Sequence, residues 1–279
     1  MSSPSMFSLE YFPPRDIAAQ ERLVRSAKRL MALQPGYVSV TFGAGGSTRE
    51  GTVDTVQLMQ NLGADVAPHL SCIGATRAQL RTILDAYQAR GVRRLVALRG
   101  DMPSGMGGDI GELHHAADLV RFVRAEYDDA FHIEVAAYPE MHPQSLSAQD
   151  DLDHFVAKVS EGADGAITQY FFNPDAYFDF VDRVRARGID IPIIPGIMPI
   201  TNYTQLARFS NMCGTEIPRW LRLRLQDYGD DKASIRAFGI DVVSRLTQRL
   251  LEQGAPGAHF YTLNNADAVL AVCANLGKG

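Results

Sequence analysis

The 279-residue chain is sparing with several residue types, and each scarcity excludes a class of protein. It has three cysteines, Cys72, Cys213 and Cys273. An odd, widely spaced set without metal-motif spacing points to free thiols in a reducing, cytoplasmic setting rather than a disulfide framework. No apolar run approaches the roughly 18 residues that span a bilayer. The start, Met1-Ser2-Ser3-Pro4-Ser5, lacks the basic and apolar regions of a signal peptide. A formal charge of −5 is too small for a dedicated nucleic-acid binder or for steering to a membrane. HExxH and CxxC are missing, so no metal site is expected. GxSxG is missing, which leaves an α/β-hydrolase unsupported. Neither repeats nor low-complexity tracts occur, and no domain boundary shows. A single domain over 1–279 is expected, within the size range of one closed barrel.

What the chain does have is regular alternation. Strand-like runs cover Phe7–Phe12, Tyr37–Phe42, Val66–Leu70, Arg94–Leu98, His132–Tyr138, Ala166–Phe172, Ile191–Ile194 and His259–Leu263. Helical patterns lie between them. In the first, Leu23, Val24, Ala27, Leu30 and Met31 make one apolar stripe, and Pro35-Gly36 stops it. Others fit Thr52–Leu62, Arg77–Ala89, Ile110–Tyr127, Ala148–Glu161, Asp175–Arg187, Thr204–Met212, Ser234–Glu252 and Asp267–Leu276. Repeated βα units predict a parallel sheet, and eight of them predict closure into a (β/α)8 barrel without exposed edges. A doubly wound sheet would carry a Gly-rich phosphate turn after its first strand. Tyr11-Phe12-Pro13-Pro14-Arg15 stands there instead. Between Asn211 and Gly229 an insertion carries the only tryptophan, Trp220, among Arg219, Arg222 and Arg224. It reads as an extra helix before the last strand, or as a short amphipathic strand.

A parallel barrel puts all strand C-termini on one rim, where distant residues converge. Seven of the eight runs end in a polar residue suited to chemistry. Alternation puts Ser8 and Glu10 on one strand face and Leu9 and Tyr11 on the other. Desolvation of Glu10 would raise its pKa and suit it to general-acid work, whereas pairing with a barrel Lys or Arg would make it structural. Arg99-Gly100-Asp101 ends the fourth run. Gly100 would let the backbone approach a ligand and Asp101 would offer a second carboxylate, or the tripeptide is a local turn with an Arg–Asp pair. Gly43–Thr48 could hold an anion or be a plain loop. Gly105, Gly107 and Gly108 do not match a dinucleotide fingerprint. His69 and His142 sit at strand ends as ligands or as structural hydrogen-bonders. His114-His115 reads as a surface helical pair.

Eight segments, in order, resemble the methylenetetrahydrofolate reductase family. They are Phe7–Pro14, Ser39–Ala44, Ala67–Cys72, Ala97–Asp101, Ala136–Glu140, Ile167–Phe172, Ile194–Pro199 and Phe260–Asn264. The resemblance implies a (β/α)8 barrel holding FAD and reducing methylenetetrahydrofolate with NAD(P)H, in ping-pong turnover. By that analogy Glu10 matches the general acid and Asp101 the carboxylate near flavin and pterin. Gln169 matches the amide that reads the pterin edge, with Phe209 and Tyr261 as further substrate contacts. Thr41, His69, Arg99, Gly100, Asp101, Tyr138, His142, Asp151 and Lys158 match FAD-contacting positions. Asp151 and Lys158 could otherwise be a surface charge pair. A homo-oligomer is a family-based expectation. Asn265 departs from the family, which usually has an arginine there that could hold a folate carboxylate. The insertion's arginines could compensate. The chain ends soon after the barrel, so regulation by S-adenosylmethionine is not expected. Two other readings remain: a flavin-binding subunit that needs a partner protein, and a metal-dependent lyase using Glu10, Asp101 and His69.

Overall fold

The computed structural model describes residues 6–42, 49–100 and 111–278. Nine parallel strands form one sheet: β1 (Met6–Tyr11), β2 (Tyr37–Val40), β3 (Val66–Ser71), β4 (Arg94–Leu98), β5 (His132–Ala137), β6 (Gly165–Thr168), β7 (Ile193–Ile194), β8 (Gly196–Ile197) and β9 (Gly257–Tyr261). Their order is β7-β6-β5-β4-β3-β2-β1-β9-β8. The outer members, β7 and β8, are two halves of one strand on either side of Pro195. Proline has no N–H to donate, so it interrupts the ladder. The Pro195 carbonyl still accepts from His259 N at 2.9 Å. The barrel thus closes through a broken seventh strand, and the expected (β/α)8 architecture holds.

The helices are α1 (Ile17–Met31), α2 (Arg49–Asn61), α3 (Arg77–Ala89), α4 (Ala116–Tyr127), α5 (Ala148–Ser160), α6 (Pro174–Arg185), α7 (Tyr203–Cys213), α8 (Arg219–Asp227), α9 (Lys232–Glu252) and α10 (Ala266–Asn275). The stripe on α1 is buried through Leu23, Ala27 and Leu30. Each fully buried leucine contributes about 1.5–3 kcal/mol. Asp16 caps the start of α1 by accepting from Ala19 N at 2.7 Å. Helix α3 has the predicted bounds, because Thr76 and Gln79 form a capping box. Helix α4 begins six residues later than the apolar pattern suggested. His115 is its N-cap rather than a helical residue. The insertion does form a helix, α8, anchored by buried Leu221 and Leu225 four residues apart. Cys72 and Cys273 are buried and Cys213 is half-buried, and none of the three is in a disulfide.

Two apolar regions result. The large one lies between sheet and helices and takes Leu9, Tyr11, Val38, Val40, Leu70 and their helical partners. The small one, Tyr37, Ala67, Val96 and Ile167 with Leu98 against it, is separate from it. Ser8 and Glu10 share a face opposite Leu9 and Tyr11, as alternation predicts, and that face points inward. No described helix is long and apolar enough to cross a membrane.

Gly239 shows how closely α9 packs on the rim. A Cβ there would sit 2.3 Å from the Ile200 carbonyl oxygen. Backbone cannot swing aside as a flexible side chain can. Gly239→Ala is expected to destabilise the protein by about 1–3 kcal/mol in urea unfolding. An unchanged midpoint would contradict this packing.

Candidate active site

Glu10 is the fifth residue of β1, opposite Ser39 of β2 and Tyr261 of β9. Its side chain is 18% exposed. Glu10 Oε2 lies 3.3 Å from His69 Nε2 of β3 and 3.5 Å from His259 Nε2 of β9. Ser8 Oγ and His259 Nδ1 share a hydrogen bond of 2.8 Å, which orients the His259 ring. Burial, the largest influence on Glu10, raises its pKa. Hydrogen bonding and charge from His259 and His69 together outweigh burial and hold the carboxyl at about 2. The expected upward shift is thus reversed. Its physical reason is His259, a second imidazole that the strand-end reading did not include. Period-two alternation was the available signal, since His259 shares the inward face with Tyr261.

Tyr261 crosses the mouth of the barrel. Its hydroxyl donates to the Thr168 carbonyl of β6 at 2.8 Å. Gly196 makes room for it, because a Cβ there would lie 2.7 Å from the Tyr261 ring and 2.1 Å from Thr168 O. Burial pushes the phenol well above its ordinary value, with Glu10, Tyr138, Cys213 and Tyr170 adding to the rise. Tyr261 therefore joins the Glu10 side of the rim to the β5 and β6 ends. Its ring meets Tyr170 edge-on at 6.1 Å. Gln169 follows β6 and lines a small crevice with Tyr138, Tyr170, Cys213 and Thr215. Its Oε1 accepts from Tyr170 N at 3.0 Å. Glu10 and Gln169 thus stand on one rim. Phe209 is half-buried on α7, beside Ser210, whose hydroxyl lies 3.1 Å from Tyr170 Oη.

The remaining predicted residues lie along the ends of β2 to β5. Thr41 follows β2, and its Oγ1 is buried without a hydrogen-bond partner. Arg99 donates from Nη2 to Gln144 Oε1 at 2.5 Å, so it is tied to the loop after β5. Gly100 has φ +89°, and a Cβ would lie 1.9 Å from Ser71 Oγ. Its need for glycine is met by packing on β3. Tyr138 and His142 form an edge-on aromatic pair at 4.5 Å. Asp151 accepts from His142 N at 3.1 Å and from the Ser145 hydroxyl at 2.9 Å. Lys158 donates to the Ala136 carbonyl at 2.5 Å, and burial lowers its pKa to about 8 against the pull of Asp151. Neither is a surface charge. Asp101, the Gly43–Thr48 loop and the glycines at 105, 107 and 108 lie outside the described residues. Among those described, no group of three or more His, Cys, Asp or Glu could hold a metal ion.

Residues 2–277 match the family profile of methylenetetrahydrofolate reductase. The 5,10-methylenetetrahydrofolate reductase of Salmonella typhimurium is 42% identical over 97% of this chain and 90% of that protein. The chain belongs to the methylenetetrahydrofolate reductase family. The Escherichia coli reductase is 41% identical over the same shares. Arabidopsis thaliana methylenetetrahydrofolate reductase (NADH) 1 is 35% identical over 97% of this chain, which spans 48% of the plant protein. A Clostridium thermocellum protein that binds two copies of 5-methyl-5,6,7,8-tetrahydrofolic acid superposes with TM-score 0.67 at 16% identity, covering 98% of this chain and 94% of its own. That likeness is one of fold.

Within this methylenetetrahydrofolate reductase family member, Asn265 has a local job. It is the N-cap of α10 and accepts from Asp267 N at 2.9 Å. An arginine could not make that cap. Its neighbour Asn264, with φ +56°, clasps Phe12 through N–H to Oδ1 at 3.1 Å and Nδ2 to O at 2.8 Å. This side chain locks β9 to β1 beside Glu10. Helix α8 presents Trp220 to Phe238 and Arg224 to the Tyr228 ring, and no described contact links its arginines to the Glu10 cluster.

Removing the imidazoles should free burial to act alone. In the variant with both His69→Asn and His259→Asn, the Glu10 carboxyl is expected to titrate well above about 2, read by carbonyl-stretch infrared difference spectra against Glu10→Gln. An unchanged low value would show that the histidines do not hold it.

Proposed function

We propose that the chain reduces 5,10-methylenetetrahydrofolate to 5-methyltetrahydrofolate with NAD(P)H, through FAD seated at the barrel mouth. The observation that carries this reading is the buried Glu10 cluster on the same rim as Gln169 and Tyr261, in a chain of this family. Several residues fit a flavin. Thr41 Oγ1 is a buried polar atom without a hydrogen-bond partner, and His69 stands on the neighbouring strand β3. Arg99 offers a guanidinium suited to phosphate oxygens. Tyr138 and His142 offer an aromatic shelf beside it. Asp151 and Lys158 serve the same site by shaping the 142–145 loop and the end of β5. Asp101 is assigned the second carboxylate near flavin and pterin.

When bound, FAD supplies the hydride chemistry, taking hydride from NAD(P)H and passing it to the folate one-carbon unit. The protein's share is the proton and the alignment. The substrate's carbon bridges two nitrogens, and protonating one of them opens the ring to an iminium cation. Glu10 is placed to deliver that proton. Because His69 and His259 hold its carboxyl at about 2, Glu10 is ionised at rest and takes up a proton before it delivers one. The negative potential of Glu10 and Asp101 then favours the cation, since preorganised charge acts most where transition-state charge develops. Gln169 supplies amide donors and an acceptor for the pterin edge, and Phe209 and Tyr261 supply ring faces. One mouth serving two substrates implies that they alternate. We further assign the protein to a reducing cytoplasm, in keeping with three cysteines outside any disulfide, and to a homo-oligomeric state.

Purified protein is expected to be yellow, to bleach with NADH or NADPH, and to recover colour with methylenetetrahydrofolate. Glu10→Gln should bleach normally and slow recovery by roughly 10²–10⁴-fold, the usual size of a general-acid contribution. Colourless protein would contradict the function. Equal loss of both half-reactions would remove Glu10 as the acid.

A further inference from the structure

Beneath Glu10, polar side chains continue toward the N-terminal pole of the barrel. Bulky branched residues usually fill such an interior. Here the apolar cluster inside the sheet is small: Tyr37, Ala67, Val96 and Ile167, with Leu98. Arg94 begins β4 and His132 begins β5, directly opposite one another. Arg94 Nη1 donates to Glu134 Oε1 at 2.8 Å, and His132 Nε2 lies 3.1 Å from the same oxygen. The Arg94 guanidinium covers the Tyr37 ring at 4.5 Å. Glu134 is 2% exposed, and its strand neighbour Gly165 leaves space for it, since a Cβ there would meet Glu134 Oε2 at 2.3 Å. His132 is 37% exposed and joins this group to solvent.

Tyr37 stands between the two groups. Its ring stacks on His259 at 6.2 Å, and it pairs with Ser8 in the β1–β2 register. Burial, then the Glu134 carboxylate, push its phenol up. Ser8 and Arg94 pull it down, and Glu10 adds to the rise. One phenol thus senses both carboxylates. Buried polar atoms without partners occur along this same line: Glu134 Oε2, Arg94 Nε, Tyr37 Oη and Ser39 Oγ. Orphan atoms of this kind are ordinarily satisfied by buried water, each molecule joining about three of them.

We propose that the barrel bore is a hydrated proton path, in which Glu134 and Tyr37 connect solvent at His132 to the Glu10 cluster. The proposal rests on the reading that Glu10 gives a proton to folate. That reaction takes one hydride from NAD(P)H and one proton from solvent per turnover. Cofactor and substrates cover the mouth, so the opposite pole is the open route for the proton. Each transfer along the path breaks one O–H or N–H bond and forms another. One proton enters at His132, one leaves from Glu10, and no electrons move. Glu134 and Tyr37 are positioning residues, remote from the reacting atoms.

The test compares Glu134→Gln and Tyr37→Phe with the wild-type holoenzyme by stopped flow in H2O and D2O. Flavin bleaching by NADH should keep its wild-type rate, which also reports folding. Flavin recovery with methylenetetrahydrofolate should slow ten-fold or more, with a larger solvent isotope effect. If both variants recover at the wild-type rate with an unchanged isotope effect, the path is refuted. The milder Tyr37→Phe decides the matter if Glu134→Gln does not fold. A high-resolution crystal structure gives a second readout that needs no turnover. Ordered waters joining Glu134, Tyr37 and Glu10 support the path, and a dry bore refutes it. A wild-type protein that never recovers colour with folate would overturn the functional reading, and the waters would then decide the bore alone.

Discussion

A carboxylate facing the inside of a protein must be paired, and the pairing of Glu10 organises this barrel's mouth. Strand alternation drives Glu10 inward because Leu9 and Tyr11 belong to the large core outside the sheet. Two imidazoles meet it from β3 and β9, residues 69 and 259. The strand order sets those strands on either side of β1, with β9 next to it and β3 beyond β2. Closure in turn runs through Pro195, and the Asn264 clasp on Phe12 fastens the β1–β9 seam just above the carboxylate. Fold and site are therefore one construction, with strands on either side of β1 supplying the groups that hold the acid.

Much of this was legible in the residues. Alternating βα segments led to a closed parallel barrel, since an open eight-stranded sheet would expose edges. The faces of β1 followed from period two, and the insertion's helix followed from Leu221 and Leu225 four apart. Other features depend on partners far off in the chain. The direction of Glu10's pKa turned on His259, which lies 249 residues away by numbering and carries no motif of its own. Gly100 read as a place for a ligand, yet Ser71 from the neighbouring strand occupies the space its missing side chain leaves. Asn265 read as a lost arginine, and the α10 backbone shows what an amide gains there. Local patterns specify elements and faces. Cross-barrel neighbours specify protonation and space.

The same contrast separates the mouth from the bore. The mouth holds residues whose types match a known chemistry. The bore holds Arg94, Glu134, His132 and Tyr37, which a purely structural interior would not need. An isolated buried ion pair seldom adds stability over apolar packing. Its place in line with Glu10 gives the Arg94–Glu134 pair a reason that stability alone does not provide.

A crystal structure with FAD and 5-methyltetrahydrofolate bound would test the central claim most directly. The account predicts the pterin ring at the barrel mouth, its edge on Gln169 and its bridging nitrogen within hydrogen-bond reach of Glu10, directly or through one water. A folate bound away from the β1, β6 and β9 ends, or a Glu10 turned from the ring and still locked to both histidines, would contradict it.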